Sequence, residues 1–243
     1  MRLSVIFDNY PYDSRLQTSW GFAAWLEYGG RTILFDTGSH RSVLLHNMAA
    51  LALDPLMVDS IVLSHNHGDH TGGLAAVLAP NPHITVYAPQ ALSARLKGEV
   101  RATGASLVEV SHPVQILPGL QTTGQMGTGP FEQALVARTE KGLVVVCGCA
   151  HPGVHRMVAR AKTVGRGDIA LVAGGFDLFG AGPWRIRRTL FAFRRLGVRQ
   201  VAPCHCTGDH AREIFFRAYG EDFYASGAGW QWPDLAGSTS FNA

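Results

Sequence analysis

The string Ser64-His65-Asn66-His67-Gly68-Asp69-His70-Thr71-Gly72-Gly73 places four metal-capable side chains within six residues. Neutral imidazoles and a carboxylate are donors that suit zinc and other first-row divalent metals. On an extended chain, side chains two apart project to the same side, so His65 and His67 can reach one ion. Asp69 and His70 follow where the glycines predict a tight turn into a helix, within reach of a second ion nearby. One His-x-His is a weak signal. His-x-His-x-Asp-His after an apolar run is more than a chance cluster of surface histidines supplies.

Those side chains need a frame, and the hydrophobic patterning predicts one. Apolar or alternating runs predict strands at 3–7, 23–28, 32–35, 60–63, 83–87, 106–110, 115–117, 120–123, 133–139, 143–149, 169–173 and 200–203. Helices are expected at 42–53, 91–97, 154–164, 184–196 and 211–219, with another starting at 73–78. The run 143–149 is almost wholly apolar, as expected of a strand buried on both faces. Strands alternate with helices in both halves, which argues for a layered α/β architecture.

Composition narrows the class. The chain has 243 residues, 47% hydrophobic, 9% aromatic and 16% charged, with a formal net charge of +3. This excludes a disordered or low-complexity chain, and the length fits one large domain or two small ones, with a core that needs no staples. No apolar run approaches the roughly 18 residues of a membrane span, and Asp8 interrupts the N-terminus before any signal-like stretch. A cytoplasmic chain with its four cysteines reduced is expected. Between His151 and Gln200, ten arginines and lysines stand against Asp168 and Asp177. Such a region is either a solvated face balanced by acids elsewhere or a surface that draws in anionic substrates such as phosphates. No recognisable nucleic-acid module accompanies it. The expected partner is a small-molecule substrate, anionic or phosphorylated, with neither nucleic acid nor membrane involved.

These strings, in this order, resemble the metallo-β-lactamase superfamily. Leu34-Phe35-Asp36-Thr37-Gly38 is similar to its first motif and the 65–70 run to its second. Gly148-Cys149-Ala150-His151-Pro152-Gly153, Gly174-Gly175-Phe176-Asp177 and Pro203-Cys204-His205-Cys206-Thr207-Gly208 are similar to the later three. The resemblance runs from Leu3 to about Gly227 and implies a single domain over 1–243, a four-layer αββα sandwich with a two-metal site on one edge. It implies a first ion held by His65, His67 and His151, a second held by Asp69, His70 and His205, and Asp177 bridging them. Asp36 would accept a hydrogen bond from a ligand histidine and fix its tautomer. The implied cofactors are two divalent ions, zinc first, with manganese or iron also compatible. Asn9, Gly21-Phe22, Asn47 and the Gly-Cys-Ala-His-Pro-Gly and His-Cys-Thr-Gly strings fit one branch. That branch resembles the 7,8-dihydropterin-6-methyl-4-(ribofuranosyl)aminobenzene 5′-phosphate synthase-like group. Its fourth motif typically reads Gly-Gly-Phe-His-Leu, whereas Asp177 stands at the histidine position here.

The chemistry this implies is hydrolysis of an ester, lactone, thioester or phosphoester by a hydroxide that two cations generate near neutral pH. Asp69 and Asp177 would be the catalytic carboxylates. One alternative is a pterin-type transferase that condenses a dihydropterin-methyl diphosphate with an aromatic amine. Another is a metal-bound sensor without turnover. Cys147 and Cys149 precede His151 and would share a strand face with it, while Cys204 and Cys206 flank His205. Five histidines and two carboxylates already complete the implied ligand set, so packing is expected of the cysteines ahead of ligation. His40, His46, His83, His112, His155 and His210 show no ligand-like pattern. Trp184, Trp230 and Trp232 are expected in the core, with a pocket rim or interface as the other option.

Overall fold

Most apolar runs become strands close to where the patterning predicts them, as seen in a computed structural model that describes residues 1–233. The last ten residues of the expected domain, 234–243, lie outside the described residues. The described chain forms two compact units, one of Met1–Ser111 plus the segment from Gly227 onward, the other of His112–Ser226.

In the first unit, β1 (Arg2–Phe7), β2 (Ala23–Tyr28) and β3 (Arg31–Phe35) form an antiparallel meander. Gly29 and Gly30, at φ 58 and 74, make the two-residue turn between β2 and β3, where both positions need positive φ. Strands β4 (Ser60–Val62), β5 (Thr85–Pro89) and β6 (Ser106–Val110) continue the sheet in parallel from β3. Parallel neighbours require crossovers. These are α1 (Arg41–Ala50), the short α2 (Gly68–Thr71) with α3 (Leu74–Leu78), and α4 (Ala94–Ala102). Leu44, Met48, Leu74, Val77 and Leu96 belong to one buried cluster with Ile6, Leu34, Ile61 and Val86 of the sheet. Each such side chain contributes about 1.5–3 kcal/mol by leaving water. Asn47 is a polar exception with a structural task. Its buried amide donates to the Ile6 and Gln17 carbonyls and accepts from the Gln17 N–H.

The second unit repeats the plan. Strands β7 (Gln115–Leu117), β8 (Leu120–Thr122), β9 (Leu135–Thr139) and β10 (Gly142–Cys147) are antiparallel. Strands β11 (Ile169–Gly175) and β12 (Gln200–Cys204) extend the sheet in parallel from β10. The connecting helices are α5 (Val154–Gly165) and α6 (Pro183–Leu196), and α7 (Asp209–Tyr219) follows β12. Pro183 opens α6 and Gly197, in the left-handed region, closes it. Phe176, Phe193 and Phe215 meet edge to face at the centre of the core. The chain then returns to the first unit, where β13 (Gln231–Trp232) pairs antiparallel with β1.

Several expectations shift. The helix expected at 91–97 lies at Ala94–Ala102 because the Ser93 hydroxyl accepts the Leu96 N–H and caps it. The helix expected to reach residue 53 stops at Ala50. Strand β13 is too short for its periodicity to register in the sequence. Trp230 and Trp232 are buried, whereas Trp184 is 72% exposed. No helix of the described residues is long and apolar enough to cross a membrane. In each unit the residues singled out above sit where parallel strands end at their carboxyl edge, the place where open α/β sheets bind ligands.

Candidate metal centre

Asp36 follows β3 with φ 56 and is fully buried. Its Oδ1 accepts the Ser64 N–H at 2.7 Å, and its Oδ2 accepts the Ser64 hydroxyl at 2.6 Å. The same Oδ2 lies 2.7 Å from His70 Nδ1. A carboxylate only accepts, so the His70 proton sits on Nδ1 and the lone pair on Nε2. The Ser64 hydroxyl, having donated to Asp36, accepts from His65 Nδ1 at 2.8 Å. The His65 lone pair is therefore on Nε2 as well. One buried carboxylate thus sets two tautomers, one directly and one through a hydroxyl.

The donors so oriented converge. His65 Nε2 is 3.0 Å from His67 Nδ1, and His70 Nε2 is 3.6 Å from Asp69 Oδ2. His65 and His70 are fully buried, Asp69 is half-buried and His67 is exposed. The backbone is pinned around them. Thr37 donates its N–H and its hydroxyl to the His70 carbonyl, and Phe22 N–H donates to the Asp69 carbonyl. The glycines do not act as the sequence suggested, since Gly72 and Gly73 have φ −66 and −89. A Cβ on Gly72 would lie 2.1 Å from the Ser39 carbonyl oxygen, and one on Gly73 2.4 Å from that of Thr37. Close approach to the loop after β3, rather than backbone freedom, demands glycine there.

In the second unit, β10 ends at Cys147, two residues before the predicted boundary, and Glu132 gives the reason. Its carboxylate is fully buried. Oε1 accepts the N–H groups of Gly148, Cys149 and Ala150 at 3.1, 2.9 and 2.8 Å, and Oε2 accepts that of His151 at 2.9 Å. Four successive amides wrap one carboxylate, an arrangement that stabilises its charge. This corrects the expectation that Cys147, Cys149 and His151 share a strand face. Cys147 packs in the core, where burial first, then the charges of Glu132 and Cys206, push its thiol well above the usual range. Cys149 Sγ lies 3.4 Å from His205 Nε2, and a ligand atom of His151 is within 4.8 Å of it. All four cysteines are buried free thiols.

His205 follows β12 with φ 48 and is fully buried. The turns after β11 and β12 are tied together. Thr207 Oγ1 donates to the Cys204 carbonyl and accepts the Phe176 N–H, while the Leu178 and Phe179 N–H groups donate to the Cys206 carbonyl. Asp177, at φ 53, is a third exposed. Its Oδ2 pairs with Arg185 at 2.6 Å, and its Oδ1 stands 3.8 Å from His151 Nδ1.

His65, Asp69 and His70 of the first unit and Cys149, His151 and His205 of the second are donors of the kind that could hold a metal. The donor chemistry fits a first-row divalent ion, with imidazole lone pairs set by a buried acceptor, carboxylate oxygens and one thiol. The sequence reading missed Glu132 and Ser64 as the link between His65 and Asp36. A signal for Glu132 was present: an acid between Phe131 and the apolar run from Ala134, with only Gln133 intervening, needs buried donors if it is drawn inside.

A family profile described as the Metallo-beta-lactamase superfamily matches residues 17–205. The chain belongs to this superfamily. It is 32% identical over 244 residues to the 7,8-dihydropterin-6-methyl-4-(β-D-ribofuranosyl)-aminobenzene-5′-phosphate synthase of Methanocaldococcus jannaschii, covering 82% of this chain and 83% of that enzyme. Among solved structures, Tm1679, a metal-dependent hydrolase of the β-lactamase superfamily, matches with a TM-score of 0.78 at 26% identity, covering 95% of this chain and 98% of the other. YhfI of Bacillus subtilis, a metallo-β-lactamase fold protein, matches with a TM-score of 0.70 at 13% identity and the same coverage, a likeness of fold. The fold class and the family resemblance drawn from the motifs are those the matches show.

Proposed function

We propose that this protein is a metal-dependent hydrolase acting on an ester, lactone, thioester or phosphoester of a small anionic substrate. The observation that supports it most is the Asp36–Ser64–His65–His70 array, in which buried acceptors hold both protons on Nδ1, the tautomer that Nε2 metal ligation requires. Following the order of the family motifs, His65, His67 and His151 would hold one ion and Asp69, His70 and His205 a second, with Asp177 serving both. Zinc suits these donors, and manganese or iron also fit. When bound, such ions lower the pKa of water and stabilise charge developing on a reacting oxygen.

The chain supplies the rest. Asp36 keeps the His70 proton on Nδ1, and Glu132 holds the loop that carries His151. Asp177 has one oxygen clamped by Arg185, which fixes the direction of the other, and so would orient the attacking nucleophile. We place this activity in one functional domain over 1–243 in the cytoplasm, a compartment consistent with four free thiols.

The 32% identical synthase favours a second reading, condensation of a dihydropterin-methyl diphosphate with an aromatic amine. Asp177, where that branch typically has histidine, weighs toward hydrolysis. Elemental analysis of the purified protein, followed by assays of the metal-loaded form on phosphodiesters, lactones, thioesters and pterin diphosphates, separates the readings. Two ions per chain and hydrolytic products are expected. Amine condensation without hydrolysis would select the synthase. Bound metal with neither reaction would select a metal-bound sensor.

A further inference from the structure

His155, without a ligand-like pattern in the sequence, borders a cavity of about 400 Å³ in the second unit. That volume lies in the range of small-molecule sites, roughly 300–1,000 Å³. Buried Phe176 and Leu178 line it, together with His155, Arg185, Arg188 and Trp184. Trp184 is 72% exposed, an unusual position for the largest apolar side chain, and the Arg188 guanidinium lies 5.5 Å from its ring centroid. Arg185 also grips Asp177 at 2.6 Å. Positive charge is concentrated here. Burial first, then the charges of Arg188, Arg156 and Arg185, hold the His155 pKa below its usual value. Neither α5 nor α6 carries an acidic side chain in its first turn.

We propose that this pocket binds the phosphate of a ring-bearing phosphoester, with the phosphate on Arg185, Arg188 and His155 and the ring against Trp184. Two guanidinium forks and an imidazole offer more donors than the two oxygens of a carboxylate use, and they match the three terminal oxygens of a phosphate. An exposed indole beside them supplies a flat apolar face. The proposal rests on the hydrolase reading for the reacting bond, which Asp177 would serve one guanidinium away, but the binding itself needs no metal.

Isothermal titration of the full chain with phenyl phosphate, inorganic phosphate and benzoate tests it in wild type, Arg188→Gln, Trp184→Ala and His67→Ala. Phenyl phosphate is expected to bind most tightly. Arg188→Gln should weaken it about tenfold or more, the loss of one charge-assisted bond. Trp184→Ala should weaken phenyl phosphate about threefold to tenfold and leave inorganic phosphate unchanged. His67→Ala should lose metal and keep phenyl phosphate binding. Both pocket side chains are exposed, so unchanged thermal midpoints are expected for their variants. The proposal falls if wild type does not bind phenyl phosphate, if benzoate binds as tightly, or if neither pocket variant weakens binding. It also falls if binding is lost only in His67→Ala, which would put the anion on metal. Intact phenyl phosphate binding with no hydrolysis of any ester would instead remove the hydrolase reading and leave the pocket standing.

Discussion

In the first unit, a buried carboxylate reaches the imidazole His70 and, through Ser64, the imidazole His65. In the second unit, a buried carboxylate reaches backbone, since Glu132 takes four amides from Gly148 to His151. The first arrangement governs which ring nitrogen carries the proton. The second governs where the loop runs. Two buried carboxylates, one just after β3 and one just before β9, therefore divide the work between donor chemistry and donor position. That division makes distinct demands on stability and on metal affinity.

Glu132→Ala probes the position side most severely. Four N–H groups would lose their acceptor in the interior, at about 1–3 kcal/mol for each one left unsatisfied, so a total loss of about 4 kcal/mol or more is expected in urea unfolding. A loss below about 1 kcal/mol would show that the loop is held by other contacts and would break the comparison. Asp36→Asn probes the chemistry side. The amide presents a donor where His70 Nδ1–H or the Ser64 hydroxyl needs an acceptor, and metal affinity should fall about 10–100-fold in chelator competition. Stability should fall less than in Glu132→Ala, and equal effects on both readouts in both variants would erase the distinction.

Cys149→Ala sharpens the second unit. Removing a packed thiol should cost about 1 kcal/mol and leave metal content unchanged. A drop in metal content equal to that of His205→Ala would instead make Cys149 a ligand. The smallest effect concerns His155, whose pKa burial and then Arg188, Arg156 and Arg185 hold below the ordinary histidine value of 6.5. The unfolded chain takes up this proton at higher pH than the folded one. Its contribution to stability is thus intact above pH 6.5 and is lost as pH falls toward the folded-state pKa. The thermal midpoint of wild type should drop more steeply on acidification than that of His155→Gln, and parallel curves would show that the arginine field does not reach this ring.

Much of the site was legible because its chemistry is local. His65, His67, Asp69 and His70 fall in one run, and extended geometry followed by a helix brings them together with little help from the rest of the chain. The roles assigned to Asp36, His151, Asp177 and His205 came from motif order, since nothing in their immediate neighbours distinguishes a ligand from a structural residue. Asp36 meets Ser64 and His70 across 28 and 34 residues, and periodicity carries no information about such a pairing. The run 143–149 outlasts its strand for a related reason: the sequence pattern continues past Cys147, and a distant carboxylate, not hydropathy, ends the strand.

By itself, the sequence determined the donor types, their order along the chain and the alternation of strands and helices that places them at strand ends. Those properties depend on side-chain chemistry and on periods of two and 3.6 residues, both readable in short windows. The tertiary structure alone decided which nitrogen of His65 and of His70 carries the proton, that Glu132 shapes the loop of His151, and that Arg185, Arg188 and Trp184 share a pocket with His155. These depend on hydrogen bonds and packing between segments far apart in the chain. A buried polar group is satisfied by whatever partner the fold brings to it.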